Sequence, residues 1–156
     1  NDMATAAPAW RPLTAAERAE YEQRGFVVLR GAFDEATMSA ITAWTDQVAL
    51  LGHLGVSGMH HFEEVDGKSV LARSEALVES HPGFRRLLTE GALIRWAAEC
   101  LGEEAAFLFK EKANWKASGG AGFAPHQDAT AYRFADSHVS IMVPVDAAYP
   151  ANGGLS

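Results

Sequence analysis

The front part of the chain carries apolar residues at helical spacing. Residues 13–25 predict a first helix, because Thr14 and Glu17 fit a capping box and Gly25 stands where a helix would stop. A second helix is predicted after Asp34, the residue type that commonly caps a helix start. The apolar positions of this second helix recur every three or four residues: Met38, Ile41, Trp44 or Thr45, Val48 and Leu51.

Three further stretches complete this part. The short apolar run "FVVLRGAF", residues 26–33, predicts a strand. Residues 52–69 carry several glycines, three histidines and several charges, and they predict a loop. Residues 82–104 predict a short helix and a longer one that ends near Gly102.

The pattern changes to a period of two after residue 104. Residues 105–116, "AAFLFKEKANWK", alternate and predict a strand. The loop "ASGGAGFAP" follows, and "HVSIMVPVDAA", residues 138–148, predicts another strand. The sequence therefore predicts a mainly β fold with N-terminal helices. We expect one domain over residues 12–156 that follows a flexible tail at residues 1–11.

Composition narrows the possible partners. The net charge of −7 argues against a nucleic-acid or anionic-membrane surface, since either needs a basic patch. The single cysteine, Cys100, excludes a disulfide framework and is expected to be a buried small hydrophobe. No apolar run approaches the ~20 residues of a membrane span, and the first residues lack the apolar core of a signal peptide. We therefore expect a cytoplasmic protein.

The stretch "GFAPHQDATAY", residues 122–132, holds the candidate chemistry. In an extended segment, side chains two apart point to the same face, so His126 and Asp128 are expected to project together. One imidazole and one carboxylate make two ligands of the 2-His-1-carboxylate arrangement of non-haem Fe(II) oxygenases. The pattern alone is weak, because a surface histidine near a turn aspartate is the more common meaning of such a pair.

The preceding strand has an unusual face. By the period of two, Lys110, Lys112 and Asn114 share one side of it. Two interpretations stay open: an edge strand with its charged side in water, or polar groups that line a cavity holding an anion such as a dicarboxylate.

Other histidines and one tyrosine are weaker candidates. Tyr132 is either a packing residue or an aromatic wall over a substrate, and His138 competes as a third metal ligand. We expect His53, His60 and His61 to face solvent, although such a loop can also fold over an active site as a lid.

At this point the residues resemble a known family. "LTAAERAEYEQRGFVVLRGAFDEATMSAI", "LLTEGALIRWAAECLGEEAAFLFKEKANWK", "FAPHQDATAY" and "VSIMVPVDAAYPANGGLS" are similar to the phytanoyl-CoA dioxygenase family. Its members are Fe(II)- and 2-oxoglutarate-dependent oxygenases. The resemblance is nearest to bacterial members that act on small polar metabolites, the ectoine hydroxylase and aminophosphonate dioxygenase branch.

The resemblance implies a role for each candidate residue. His126 and Asp128 match the first two iron ligands. Lys110 and Asn114 would then lie beside 2-oxoglutarate, and Lys112 and Tyr132 beside the substrate. The implied reaction uses O2 and hydroxylates a small anionic or zwitterionic molecule, and the presence of Asp128 favours hydroxylation or desaturation over halogenation.

The resemblance also implies a fold and two missing elements. The family fold is a double-stranded β-helix, or jelly roll, preceded by helices. Eight strands of ~6 residues with their connections need roughly 90 residues, whereas only residues 105–156 are available here. We therefore expect this chain to hold the first half of the jelly roll, without the distal histidine and the arginine that bind iron and 2-oxoglutarate.

Two rival functions remain at this point. One is a non-catalytic relative that binds a small molecule or a partner without iron. The other is a cupin-like metal protein that needs no 2-oxoglutarate and brings further histidines, including His138, to the metal.

Overall fold

The computed structural model describes residues 10–56, 59–132 and 136–154. Five α-helices occur in these ranges: α1 (Ala15–Arg24), α2 (Glu35–His53), α3 (Leu77–Ser80), α4 (Pro82–Thr89) and α5 (Ala92–Leu101). The strands found there are β1 (Met59–Val65), β2 (Lys68–Glu75) and β3 (Lys112–Asn114), and they form one antiparallel sheet in that order. The predicted helices and a β-structure are therefore present, but helices predominate where the sequence predicted mainly β.

The predicted starts of the first two long helices are confirmed by their caps. Thr14 Oγ1 accepts from the Glu17 N–H at 3.2 Å, and the Glu17 carboxylate accepts from the Thr14 N–H at 2.8 Å. Gly25 ends α1 in the left-handed conformation, with φ +75°. The Asp34 carboxylate likewise accepts from the Thr37 N–H at 2.8 Å at the start of α2. These bonds satisfy backbone donors that a helix end leaves unpaired.

The hydrophobic core lies among the helices. Its buried members are Leu13, Ile41, Val48, Leu77, Phe84, Leu87, Ala92, Leu93 and Trp96. Trp96 is 4% exposed, and its Nε1–H donates to the Arg11 carbonyl at 2.9 Å, so the indole is buried with its polar atom satisfied. The chain before α1 is thereby fixed against α5.

The strand predicted over residues 26–33 is absent, and that prediction was wrong. The segment carries no ladder, and it turns at Gly31 with φ +62°. Leu29 and Phe33 pack against the core, whereas Phe26 and Val28 stay about half exposed. An apolar run becomes a strand only where a neighbouring strand accepts its hydrogen bonds, and this one lies against helices instead.

The loop predicted over residues 52–69 is also wrong, because β1 and β2 form a hairpin there. Asp66 and Gly67 connect the strands with φ of +50° and +72°. Two left-handed residues in a two-residue connection are the type I′ turn, for which Asp-Gly is a preferred pair. The sequence signal, "VDGK" between two half-polar runs, was present but obscured by the charges and histidines around it.

One face of the sheet packs against α2. His60 is half-buried, its Nδ1 lies 2.7 Å from Ser74 Oγ, and Ser74 is fully buried. A Cβ on Gly52 would come within 2.8 Å of His60 Nδ1, so this contact requires glycine in α2. The expectation that His60 faces solvent was therefore wrong, since packing against a helix buries its side of the strand.

The expected β-structure behind the helices is small among the residues described. The strand predicted over 105–116 is reduced to Lys112–Asn114, and residues 138–148 form no strand. This second segment nevertheless packs Val143 and Val145 against the core, and Pro144 between them lacks a ladder donor. The jelly roll stays a prediction.

Two further predictions concern the chain start and membranes. Residues 1–9 of the predicted tail lie outside the described residues, so the tail and the domain boundary stay predictions. Across residues 10–56, 59–132 and 136–154, no helix is both long and apolar enough to cross a membrane.

Candidate functional site

The loop that leads to His126 is fixed against the β1–β2 hairpin. The Ala121 N–H donates to Glu63 Oε2 at 3.3 Å, and a Cβ on Gly120 would lie 2.5 Å from Glu63 Oε1. Gly119 has φ +79° and faces Val65 at a distance that leaves little room for a side chain. The glycines of this loop therefore allow the backbone to approach a carboxylate closely.

Lys116 contacts the loop at Ala121 and Phe123. Its Nζ donates to the Ala121 carbonyl at 3.1 Å and lies 4.1 Å from the ring centre of Phe123. Such cation–aromatic contacts stabilise an exposed site by about 0.5–1 kcal/mol. The Phe123 ring in turn lies 6.4 Å from the His126 ring, so the loop connects this contact to the candidate metal ligands.

The structure brings His126 and Asp128 together. His126 Nε2 lies 3.5 Å from Asp128 Oδ1, and both side chains reach solvent, at 60% and 44% exposure. The segment is not the extended one that the sequence predicted, because Asp128 begins a 3₁₀ helix over Asp128–Ala131. The pair therefore meets at the start of a turn rather than by the alternation of a strand.

Hydrogen bonds orient both members of the pair. His126 Nδ1 lies 2.8 Å from the Ala124 carbonyl, which can only accept, so Nδ1 carries a proton and Nε2 is the ring nitrogen that faces Asp128. Ser140 Oγ donates to Asp128 Oδ2 at 3.0 Å, which leaves Oδ1 towards His126. A metal-binding histidine usually donates its other ring N–H to a carbonyl or carboxylate in this way.

A third protein ligand is not found in the part of the chain that the structure describes. No group of three or more histidine, cysteine, aspartate or glutamate side chains able to hold a metal ion occurs there. His138, the candidate third ligand, instead has its ring 6.0 Å from that of Tyr132. Among the described residues, His126 and Asp128 are thus brought together as two candidate ligands without a third.

The lysines of the predicted polar face are exposed and lie beside β2. Lys110 Nζ is 3.5 Å from Glu75 Oε1, and Lys112 Nζ is 5.7 Å from the Phe123 ring centre. Lys112 lies opposite Glu75 in the sheet. The structure therefore places an acid, Glu75, among the predicted anion-binding lysines.

Asn114 lines a small cleft of about 220 Å³. It lies opposite Arg73 in the ladder, and Arg73 lies opposite His61, so the three side chains share one face of the sheet. The other residues around the cleft are Glu63, Ala72, Trp115, Lys116, Ala121, Gly122 and Phe123. The sequence analysis missed Arg73, because this residue belongs to the hairpin that was partly predicted to be a loop. His61 is exposed as expected, but it lies on a strand rather than in a loop.

Tyr132 follows the 3₁₀ helix of Asp128. Its ring contacts that of Phe109 in a T-shaped arrangement at 5.1 Å, and that of His138 at 6.0 Å. Its predicted place beside a substrate stays a prediction.

A larger cleft, of about 400 Å³, lies between α1 and the end of α5 and contains none of the predicted site residues. Its polar wall is the ion pair of Arg18 and Glu99, at 2.7 Å. Burial raises the pKa of the Cys100 thiol in this cleft. A raised pKa disfavours the thiolate, which fits the expectation of a packing residue rather than a reactive one.

Known proteins resemble this chain over most of its length. It is 37% identical over 143 residues to the methylphosphonate hydroxylase of Gimesia maris, with 92% of this chain and 55% of the relative covered. It is 36% identical over 146 residues to a 2-aminoethylphosphonate dioxygenase of an uncultured bacterium, with 91% and 55% covered. Dioxygenase lolE1 of Epichloe uncinata is 32% identical over 157 residues, with 97% and 60% covered.

The chain spans about half the length of the first two of these curated relatives. No solved structure matches it. The family model described as phytanoyl-CoA dioxygenase matches residues 21–156, most of the chain. The resemblance inferred from the sequence is therefore confirmed, and the chain belongs to the phytanoyl-CoA dioxygenase family.

Proposed function

We propose that the protein is an Fe(II)- and 2-oxoglutarate-dependent dioxygenase that hydroxylates a small phosphonate. The observation that carries the proposal is the pair of His126 and Asp128, whose Nε2 and Oδ1 atoms face each other at 3.5 Å. Family membership supports the oxygenase chemistry, and two relatives named for phosphonate substrates support the substrate class.

The donor chemistry of the pair fits ferrous iron. A neutral imidazole nitrogen and a carboxylate oxygen both offer lone pairs, so a cation, whether a proton or a metal ion, can be held between them. These two ligand types belong to the facial site of non-haem Fe(II) oxygenases. We propose His126 and Asp128 as two of its ligands, with a third histidine from outside the described residues.

Iron held by this pair would, together with 2-oxoglutarate and O2, supply the oxidising power to hydroxylate an unactivated C–H bond, with succinate and carbon dioxide as the coproducts. The protein's own residues orient the reactants. The Ala124 carbonyl fixes the ring of His126, and Ser140 fixes the carboxylate of Asp128. Such outer hydrogen bonds hold the ligands in place before the metal arrives.

The cosubstrate and substrate contacts are a finer part of the proposal. We propose that Asn114 in the cleft and Lys110 bind 2-oxoglutarate, and that Lys112 and Tyr132 contact the substrate. The positive charge of Lys112 and its position beside the Phe123 ring suit a small anion. The jelly roll, of which this chain would form the first half, and a cytoplasmic location belong to the same proposal.

Succinate release is the direct test of the reaction. The full-length protein, supplied with Fe(II), O2 and 2-oxoglutarate, is expected to form succinate and a hydroxylated product in equal amounts when methylphosphonate or 2-aminoethylphosphonate is added. Omission of the phosphonate should leave only slow, uncoupled succinate formation. If neither phosphonate raises succinate formation while another small anion does, the substrate class is wrong.

The alternative is a cupin-like protein that binds a metal or small molecule without 2-oxoglutarate. Metal analysis and the succinate assay on the full-length protein together separate the candidates, because this alternative predicts either no stoichiometric iron or no succinate.

A further inference from the structure

We propose that Arg73 binds the oxyanion end of a small ligand in the cleft beside His126 and Asp128. The inference rests on the proposed function and extends the site to the β1–β2 hairpin. The shared ligand chemistry is a phosphonate or a carboxylate, which the substrate or 2-oxoglutarate would provide.

The sheet places Arg73 in the middle of a polar row. His61 lies opposite it on β1, and Asn114 lies opposite it on β3. Directly opposed residues of antiparallel strands project from the same face, and all three line the cleft. The row therefore offers an imidazole, a guanidinium and an amide side by side.

A neighbouring acid forms an ion pair with the guanidinium. Arg73 Nε lies 2.9 Å from Glu75 Oε1, and Glu75 also lies 3.5 Å from Lys110 Nζ. The Glu75 side chain is only 13% exposed, so this carboxylate is partly desolvated and held by two cations. Within the ranges that the structure describes, Glu75 is the partner of Arg73, and no acceptor binds its two terminal amino groups.

Those amino groups suit an oxyanion. The two terminal nitrogens of a guanidinium bind carboxylate or phosphonate oxygens in parallel, and partial burial strengthens such charge-assisted bonds. The ion pair with Glu75 holds the guanidinium near the cleft, while Arg73 Nε is buried and makes no hydrogen bond within the described residues. A buried donor of this kind gains a partner when an oxyanion binds, which favours binding.

Charge around the cleft favours an anion as well. Lys112 and Lys116 lie at the Phe123 ring on the edge of the cleft. The nearby carboxylates are already engaged, Glu63 by the Ala121 N–H and Glu75 by its cations. A ligand anion would therefore meet an excess of positive charge with little repulsion.

Phe123 connects the cleft to the candidate iron site. Its ring lines the cleft and lies 6.4 Å from the His126 ring. A small molecule with its anionic end at Arg73 would extend past Phe123 towards the metal ligands. The cleft, at about 220 Å³, suits the end of a small ligand rather than a large substrate.

The test is the Arg73→Gln variant of the full-length protein, with Arg85→Gln as the matched control. Arg85 is exposed on α4 and lines neither cleft, so its loss changes net charge equally. Calorimetric affinities for methylphosphonate and for 2-oxoglutarate are measured separately, together with both KM values and kcat. A second variant, Arg73→Lys, keeps the positive charge but lacks the two terminal guanidinium nitrogens that bind an oxyanion in parallel.

We expect Arg73→Gln to lower the affinity for one of the two anions by about tenfold or more, because a charge-assisted contact is lost. A lower affinity for methylphosphonate would show that Arg73 binds the substrate, and a lower affinity for 2-oxoglutarate would show that it binds the cosubstrate. Arg73→Lys should fall between the wild type and Arg73→Gln, with an unchanged melting temperature.

The inference would be overturned if Arg73→Gln bound each anion with the same affinity as the wild type. It would also be overturned if the wild type bound neither anion. A wild type that binds a phosphonate at Arg73 without oxidising it would instead refute the proposed function alone. Binding measurements thus keep the two failures apart.

Discussion

Apolar side chains are buried in the region of residues 10–104 but largely exposed in the region of residues 105–154. In the first region, helices and the hairpin enclose a core in which Ile41, Val48 and Trp96 are at most 4% exposed. In the second region, no residue whose exposure the structure describes is buried. Phe107 is 82% exposed, Met142 66% and Phe123 61%. The buried core thus lies in the first region, whereas the proposed metal ligands His126 and Asp128 lie in the second.

The contrast shows how a weakly packed segment can still hold a defined site. His126 and Asp128 are positioned by local hydrogen bonds to Ala124 and Ser140, and their loop is tied to Glu63 of the hairpin. The first region thus supports the loop through Glu63 of β1, and neither proposed metal ligand belongs to it. The two regions should therefore respond oppositely to mutation.

The largest effect is expected from Asp128→Ala in the full-length protein. Loss of the carboxylate removes a proposed iron ligand, so hydroxylation should fall below detection, while the melting temperature stays within a few degrees of the wild type. The exposed Asp146 provides a matched control, Asp146→Ala, which should keep full activity. Activity retained in Asp128→Ala would contradict the separation of chemistry from stability.

The reverse effect is expected from Trp96→Ala. Removing this buried indole leaves a cavity in the core, which costs about 3–5 kcal/mol of unfolding free energy. Phe107→Ala, at an 82% exposed position, should change the unfolding free energy of this chain by about 0.5 kcal/mol or less. Urea unfolding of both variants measures the difference, and similar losses would show that the second region is also packed.

A smaller effect is expected from Ser140→Ala. This change removes the donor to Asp128 Oδ2 but leaves both proposed ligands. Loss of such a supporting bond lowers metal affinity or activity by about 10–100-fold. The Fe(II) affinity and kcat of this variant measure the effect, and Ser137→Ala, at an exposed position, is the control. Equal Fe(II) affinity and kcat in the two variants would exclude an orienting role for Ser140.

The smallest effect concerns acid stability in the helical region. The hydrogen bonds of Arg11 and then of the Thr14 backbone lower the pKa of Glu17 from 4.5 to about 2. Because the folded pKa is the lower one, Glu17 stabilises the fold above pH 4.5 and loses this effect as the pH falls towards about 2.

The Glu17→Gln variant tests this linkage. The difference in urea midpoint between wild type and variant should shrink over that pH range, and Arg11→Gln should weaken the pH dependence. A midpoint difference that does not vary with pH would refute the role of the ionised Glu17.

The helices were predictable because their signals are local. Thr14, Glu17, Gly25 and Asp34 each act within one turn of their own position, so the sequence is sufficient to identify the caps. The β1–β2 hairpin also had a local signal, Asp66-Gly67, yet the histidines and charges of the strands hid their alternation.

The strands were less predictable because their partners are distant in sequence. Residues 105–116 alternate throughout, but only Lys112–Asn114 lie beside β2 and become a strand. The nearness of His126 and Asp128 was predicted, whereas the supporting Ser140 and the cleft residue Arg73 were not. Both depend on which segments fold against the loop, and spacing in the sequence does not contain that information.

The most direct measurement is an anaerobic titration of the full-length protein with Fe(II) in the presence of 2-oxoglutarate. The wild type is expected to develop a weak visible charge-transfer band at one equivalent of iron, and His126→Ala and Asp128→Ala are expected to lack it. A wild type that binds iron without this band, or a band undiminished in both variants, would contradict the assignment of these two residues as ligands.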